Sequence, residues 1–150
     1  MREAIALSIE KMEAGVGGPF GALVVKNGDV IGRGWNRVTA TNDPTAHAEV
    51  MAIRDACVRL DTFDLSGCEL YASCEPCPMC LSAIYWARLD KLYYAATRAD
   101  AAGAGFDDER LYKEVSKPWK YRELPAERGM QIEAQKAFDL WREKEDRIHY

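Results

Sequence analysis

Two short segments of this 150-residue chain restrict its fold more than any other feature, because three of their side chains must meet at one point. Residues 45–49 read Thr-Ala-His-Ala-Glu, and residues 74–80 read Cys-Glu-Pro-Cys-Pro-Met-Cys. Zinc prefers imidazole and thiolate ligands, and a Cys-x-x-Cys pair at the start of a helix brings both sulfurs within reach of one ion. His47, Cys77 and Cys80 are therefore the predicted ligands of one zinc ion.

Glu49 lies two residues after His47, on a different side of the predicted helix, so it need not bind the metal. A catalytic zinc keeps one coordination position for water and lowers the pKa of that water towards neutrality. A neighbouring carboxylate then takes the proton and passes it to the substrate. The two segments thus predict a hydrolytic site in which Glu49 moves protons.

A structural zinc site is the alternative interpretation of the same residues. Cys74 would complete a set of three cysteines and one histidine, which leaves no position for water. Against this, Cys74 is expected at the end of a strand, before the Glu75-Pro76 turn. Cys57 and Cys68 are then expected in the core. A zinc-stabilised binding module without turnover stays open as the non-enzymatic alternative.

Composition indicates one globular domain over residues 1–150. Hydrophobic residues make up 48% of the chain and charged residues 29%, and no apolar run is long enough to span a bilayer. Charges interrupt the first helix-like stretch, so we expect no secretory signal and a cytoplasmic location. The net charge is -4, and neither the first 100 residues nor the last 50 are basic. Because proteins that bind nucleic acid usually concentrate positive charge, this balance favours a small neutral substrate.

The pattern of apolar residues predicts strands that alternate with helices. Asn27-Gly28 joins β-rich runs at 20–26 and 30–35 and predicts a hairpin. Further strands are expected at 68–73 and 91–96. Helices are expected from about residue 44 to 60, at 77–88, at 107–115 and at 134–147, with an irregular stretch at 117–129. This order predicts an α/β layered domain whose sheet is mixed.

Residues 45–49 and 74–80, together with Gly-Pro-Phe-Gly at 18–21, resemble the cytidine-deaminase-like superfamily. Within it they are similar to the branch shared by guanine deaminases and tRNA adenosine deaminases. The resemblance implies a three-layer α/β/α fold with a five-stranded mixed sheet. It also implies a homodimer, whose subunits can exchange the C-terminal segment that includes helix 134–147.

Three other segments resemble the small bacterial guanine deaminases: residues 82–88, residues 104–108 and the terminal aromatic residue. The resemblance implies hydrolysis of guanine to xanthine and ammonia. It implies that Asp108 contacts the base or serves as a second proton relay near the amino group, and that the C-terminal tyrosine closes the pocket. The residues that it places against the base are Phe20, Asn36, Ala48, Trp86, Asp108 and Tyr150.

These substrate residues also have ordinary structural interpretations. Phe20 opens an apolar strand, Asn36 follows one, and Trp86 sits on a helix that packing alone would explain. Asp107-Asp108 would cap the next helix, and a terminal residue is commonly frayed. Two enzymatic alternatives therefore stay open, which are deamination of adenosine in tRNA and deamination of another small aminated ring such as cytosine, a nucleoside or a triazine.

Overall fold

The computed structural model describes residues 1–149. The chain folds as two compact units, Met1–Tyr112 and Lys113–Tyr150. The expectation of one domain over residues 1–150 stays a prediction. All the metal-binding residues that the sequence predicts lie in the first unit.

The first unit is built on a mixed sheet of four strands in the order β2-β1-β3-β4. Strand β1 pairs antiparallel with β2 and β3, whereas β3 pairs parallel with β4. The predicted hairpin joins β1 to β2, and Asn27 and Gly28 both have positive φ, as a two-residue turn of type I′ requires. The bounds are β1 Gly21–Lys26, β2 Asp29–Trp35, β3 Cys68–Cys74 and β4 Lys91–Ala96.

Seven helices and one 3-10 turn complete the secondary structure of residues 1–149. None of these helices has the length and apolar character needed to cross a membrane. They are α1 Arg2–Glu13, α2 Val38–Thr41, α3 Ala48–Leu60, α4 Pro78–Trp86, α5 Arg98–Gly103, α6 Glu109–Ser116 and α7 Gln131–Glu143, with the 3-10 turn at Trp119–Tyr121.

Glycines on the first two strands show that helices cover both faces of the sheet. A Cβ on Gly21 would press on the backbone of α1 at Ser8, 2.8 Å from its nitrogen. A Cβ on Gly34 would instead overlap the Ala48 carbonyl oxygen of α3. Neighbouring positions on paired strands point to opposite faces, so α1 and α3 lie on opposite sides. The unit therefore has the predicted three layers.

Small side chains allow α3 to lie close to the sheet. Ala52 and Ala56 of α3 are fully buried against Ala22 of β1 and Ala72 of β3. These two strand residues are partners in the β1–β3 ladder and face the same side. Such close packing fixes the position of α3 along the sheet and hence the position of its first residue.

The expected fifth strand is wrong, because the sheet of the described residues has four. After β4 the chain turns into α5, whose start is fixed by a reciprocal cap between Thr97 and Asp100. The later stretch at 117–129 contains Pro118 and Pro125, which have no N–H to give to a ladder.

The predicted helix start near residue 44 is also wrong. The Asp43 carboxylate accepts hydrogen bonds from the backbone N–H and the hydroxyl of Thr45, which makes a local turn. Helix α3 therefore begins at Ala48, with His47 as its N-cap. Helix α2 forms within a stretch around 39–43 that the sequence pattern indicates as a loop.

The second unit, Lys113–Tyr150, contains α7. That helix buries none of its residues within the described chain. It begins three residues earlier than expected and ends four residues earlier. The irregular stretch predicted at 117–129 contains only the 3-10 turn.

We expect Gly34→Ala to destabilise the protein, because the added methyl group would overlap the backbone of α3 at Ala48 and Ala52. The free energy of unfolding should fall by more than about 2 kcal/mol in urea titrations. Gly103→Ala is the matched control, since nothing lies within 4 Å of its Cβ position. That control should change stability by less than about 1 kcal/mol. Equal effects of the two substitutions would contradict this packing.

Candidate active site

Two of the predicted ligands occupy equivalent places, at the N-termini of two helices on the same face of the sheet. His47 is the N-cap of α3 and Cys77 is the N-cap of α4, and both have extended backbone angles. Pro78 takes the first position of α4, where proline is tolerated because no N–H is needed. Cys80 follows in the first turn, so the two sulfurs project to one side.

The three ligand atoms form a triangle of the size that zinc requires. His47 Nδ1 lies 3.6 Å from Cys77 Sγ and 3.5 Å from Cys80 Sγ, and the two sulfurs are 3.6 Å apart. Usual zinc–nitrogen and zinc–sulfur bond lengths in a tetrahedron give edges of about 3.5 to 3.8 Å. The three residues form the one such group of histidine, cysteine and acidic side chains among residues 1–149. The donor set therefore fits one zinc ion.

Electrostatics at the triangle favour a thiolate. Hydrogen bonding with the Cys80 thiol lowers the pKa of Cys77 to about 4, and His47 adds to the shift. The position of Cys77 at a helix N-terminus acts in the same direction. The hydrogen bond with Cys77 raises the pKa of His47, against the effect of burial. A thiolate is the form in which cysteine binds a metal.

Cys74 stands apart from the triangle. It ends β3, as expected, and its thiol donates to the Thr97 carbonyl oxygen at 3.5 Å. The group of ligand atoms that can share one ion does not include its sulfur. Three protein ligands leave one tetrahedral position open, so the geometry supports the catalytic arrangement over the closed structural site.

A pocket with a volume of about 110 Å³ opens beside the triangle. Glu49 is 8% exposed there, and burial raises the pKa of its carboxyl group. Asn36 Oδ1 accepts hydrogen bonds from the backbone N–H groups of Gly18 and Val38, so its amide nitrogen remains as a donor. The lining residues are Phe20, Asn36, His47, Glu49, Cys74, Glu75, Cys77, Arg98, Ala101, Phe106 and Asp108.

The pocket brings together three of the six substrate residues that the resemblance implies: Phe20, Asn36 and Asp108. Burial raises the pKa of Asp108, with Cys77 adding to the shift and Arg98 opposing it. Ala48 is buried between His47 and Glu49, but it is not part of the pocket wall. Trp86 ends α4 with 68% of its surface exposed and does not line the pocket. Tyr150 lies outside the described residues.

Sequence reasoning missed four lining residues: Glu75, Arg98, Ala101 and Phe106. Two of them lie on α5, a helix that the apolar pattern does not predict. The pair Thr97 and Asp100, three residues apart, is a capping pattern that would have located this helix. Phe106 packs edge-to-face on Phe20, with ring centroids 5.0 Å apart, which only the fold reveals.

The comparison with known families agrees with this geometry. Residues 1–96 match the cytidine and deoxycytidylate deaminase zinc-binding region. The chain belongs to the cytidine and deoxycytidylate deaminase family. The predicted membership is therefore confirmed, and with it the expectation of a zinc-binding deaminase domain.

Individual relatives within this deaminase family differ in how much of the chain they match. The guanine deaminase of Bacillus subtilis strain 168 is 51% identical over 150 residues, which is 100% of this chain and 96% of that protein. Its crystal structure superposes with a TM-score of 0.96 over 99% of this chain and 95% of the other. A tRNA-specific adenosine deaminase of Aquifex aeolicus is 49% identical over 78 residues, 52% of each chain.

We expect zinc binding in this family member to depend on Cys80 and not on Cys74. Purified Cys80→Ser should lose most of its zinc, since hydroxyl oxygen is a poor zinc ligand compared with thiolate. Cys74→Ser is the matched control and should keep about one zinc ion per chain by elemental analysis, because its sulfur lies outside the triangle. Loss of zinc from both variants to the same extent would indicate a closed four-ligand site.

Proposed function

We propose that this chain hydrolyses guanine to xanthine and ammonia. Guanine is chosen over adenosine because of how much of the chain each relative matches. The Bacillus subtilis guanine deaminase matches all 150 residues, including those beyond the zinc-binding region that ends at residue 96. That additional part carries Asp108 and Phe106 of the pocket. Two tRNA-specific adenosine deaminases match less of the chain, 52% for that of Aquifex aeolicus and 74% for that of Haemophilus influenzae.

The chemistry begins with His47, Cys77 and Cys80, which would hold zinc. When bound, zinc acidifies a water molecule and so supplies the nucleophile for hydrolysis. Of the three carboxylates that line the pocket, Glu49, Glu75 and Asp108, Glu49 is the buried one. In the proposed reaction a carboxylate oxygen of Glu49 takes a proton from the attacking water and delivers it to the ring nitrogen beside the amino group. It then takes the proton of the new hydroxyl group at C2 and passes it to the amine, which leaves as ammonia while the C2 carbonyl of xanthine forms.

Other pocket residues orient the ring in this proposal. The amide nitrogen of Asn36 donates to an acceptor on the purine, because backbone N–H groups already occupy its oxygen. Phe20, supported edge-to-face by Phe106, packs against the ring. Asp108 accepts a hydrogen bond from the exocyclic amino group and serves as the second proton relay.

Three further contacts with the base, those of Ala48, Trp86 and Tyr150, are proposed from the resemblance alone. We propose that Ala48 contributes through its backbone, because its methyl group is buried. Trp86 does not line the pocket of its own chain, so we propose that it and Tyr150 contact the base bound to a second subunit of the dimer.

We also propose a homodimer in which a second copy of this chain covers the second unit. Helix α7 buries no residue, and large apolar side chains around it are 58% to 86% exposed. Exposed apolar surface of this extent is typical of an interface. The side chains are Leu124, Met130, Ile132, Phe138 and Leu140. Sedimentation equilibrium at micromolar concentration should give twice the mass of the chain, and a monomer would contradict the proposal.

A cytoplasmic location forms the last part of the proposal. All five cysteines are free. Two of them must be reduced to bind zinc, and reducing compartments maintain thiols in that state.

We expect ammonia release from guanine and not from adenine, cytosine, guanosine or a tRNA anticodon stem-loop. Glu49→Gln should keep zinc but reduce the rate by at least about 1000-fold, because the amide cannot take a proton. Glu13→Gln, on the exposed end of α1, is the matched control and should retain the full rate. Release from the stem-loop without release from guanine would refute the choice of base.

A further inference from the structure

Tyr112 makes a hydrogen bond that none of the proposed chemistry uses. Its hydroxyl group donates to the carbonyl oxygen of Pro76 at 2.8 Å, although the two residues are 36 positions apart in the chain. Pro76 immediately precedes the zinc ligand Cys77. Tyr112 lies in the first half of α6, so this bond ties the start of α6 to the loop that carries the metal ligands.

The same loop is held from a second direction. The backbone N–H of Arg98 donates to the Glu75 carboxylate at 3.0 Å, and the Glu75 N–H donates to the Ala96 carbonyl oxygen at 2.9 Å. The Arg98 guanidinium lies over the Tyr112 ring, 4.8 Å from its centroid. The tyrosine ring is therefore fixed at its face by Arg98 and at its hydroxyl group by Pro76.

Asp108 is connected to Tyr112 by a single turn of backbone. The N–H groups of Leu111 and Tyr112 both donate to the Asp108 carbonyl oxygen, at 2.9 and 3.3 Å. The Asp107 carboxylate caps the same turn through the Glu109 N–H at 2.9 Å. A shift of Tyr112 would therefore move Asp108, whose own side chain lines the pocket.

We propose that Tyr112 is a positioning residue, which holds the Asp108 carboxylate at its place in the pocket that His47 and Cys77 also line. The hydrogen bond to Pro76 sets the distance between the start of α6 and the ligand loop. Because the capped turn joins Tyr112 to Asp108, the same bond also fixes the position of Asp108. Catalytic groups lose much of their effect when they are displaced by about 1 Å, so a bond of this kind governs substrate binding without touching the substrate. The inference rests on the proposed function.

Tyr112→Phe tests the bond, because it removes the hydroxyl group and keeps the ring beneath Arg98. We expect kcat/KM for guanine to fall about 10- to 100-fold, mainly through a higher KM, while zinc content stays unchanged. Hydrogen exchange of the backbone amides at 109–112 should become faster. Tyr94→Phe is the matched control, since Tyr94 is an exposed residue of β4 away from the pocket, and its kinetics should equal those of the wild type.

A binding cycle separates positioning from a general loss of stability. In the inactive Glu49→Gln background, Tyr112→Phe should weaken guanine binding about tenfold, and it should add nothing once Asp108→Asn is present. Unchanged affinity, or equal weakening with and without Asp108→Asn, would overturn the role of Tyr112. Loss of zinc in Tyr112→Phe would overturn it too, by showing that the bond serves the metal loop. Failure of the proposed function is distinguishable, because the wild type would then release no ammonia from guanine.

Discussion

The convergence of two helix N-termini on one point is the constraint on which the rest of the structure depends. His47 caps α3 and Cys77 caps α4, and Cys80 completes a triangle of ligand atoms 3.5 to 3.6 Å apart. The sheet sets this meeting point, because α3 packs on β1 and β2 through glycine and alanine, and α4 begins shortly after β3. Small changes in either packing would open the triangle, since metal ligands tolerate little displacement.

The sheet and the helices packed on it also determine which side chains line the pocket. Parallel strands β3 and β4 end side by side, and the segments that follow them supply most of one wall. Open α/β sheets commonly bind ligands outside the carboxyl ends of their strands. Helix α3 adds Glu49, so a buried carboxylate lines the same pocket as the ligands His47 and Cys77. The fold thus brings two of the three predicted metal ligands into one pocket with the residues proposed to move protons and to hold a ring.

Local chemistry explains what the sequence alone could predict. A histidine and two cysteines at fixed spacing have few uses other than metal binding, and Asn27-Gly28 between apolar runs has few conformations. The start of α3 is harder to predict, because Pro44 suits the first position of a helix while Asp43 forms a competing turn with Thr45. The expected number of strands rests on the resemblance, and the helices that follow β4 in the described residues leave the sheet at four. Contacts such as Phe106 with Phe20 depend on packing between distant segments, which periodicity does not encode.

X-ray absorption at the zinc edge tests the central claim most directly, because it counts ligand atoms in the intact protein. We expect two sulfur ligands at about 2.3 Å and two lighter ligands at about 2.0 Å, one from His47 and one from solvent. Three sulfur ligands would contradict it, because Cys74 would then close the site and leave no position for water.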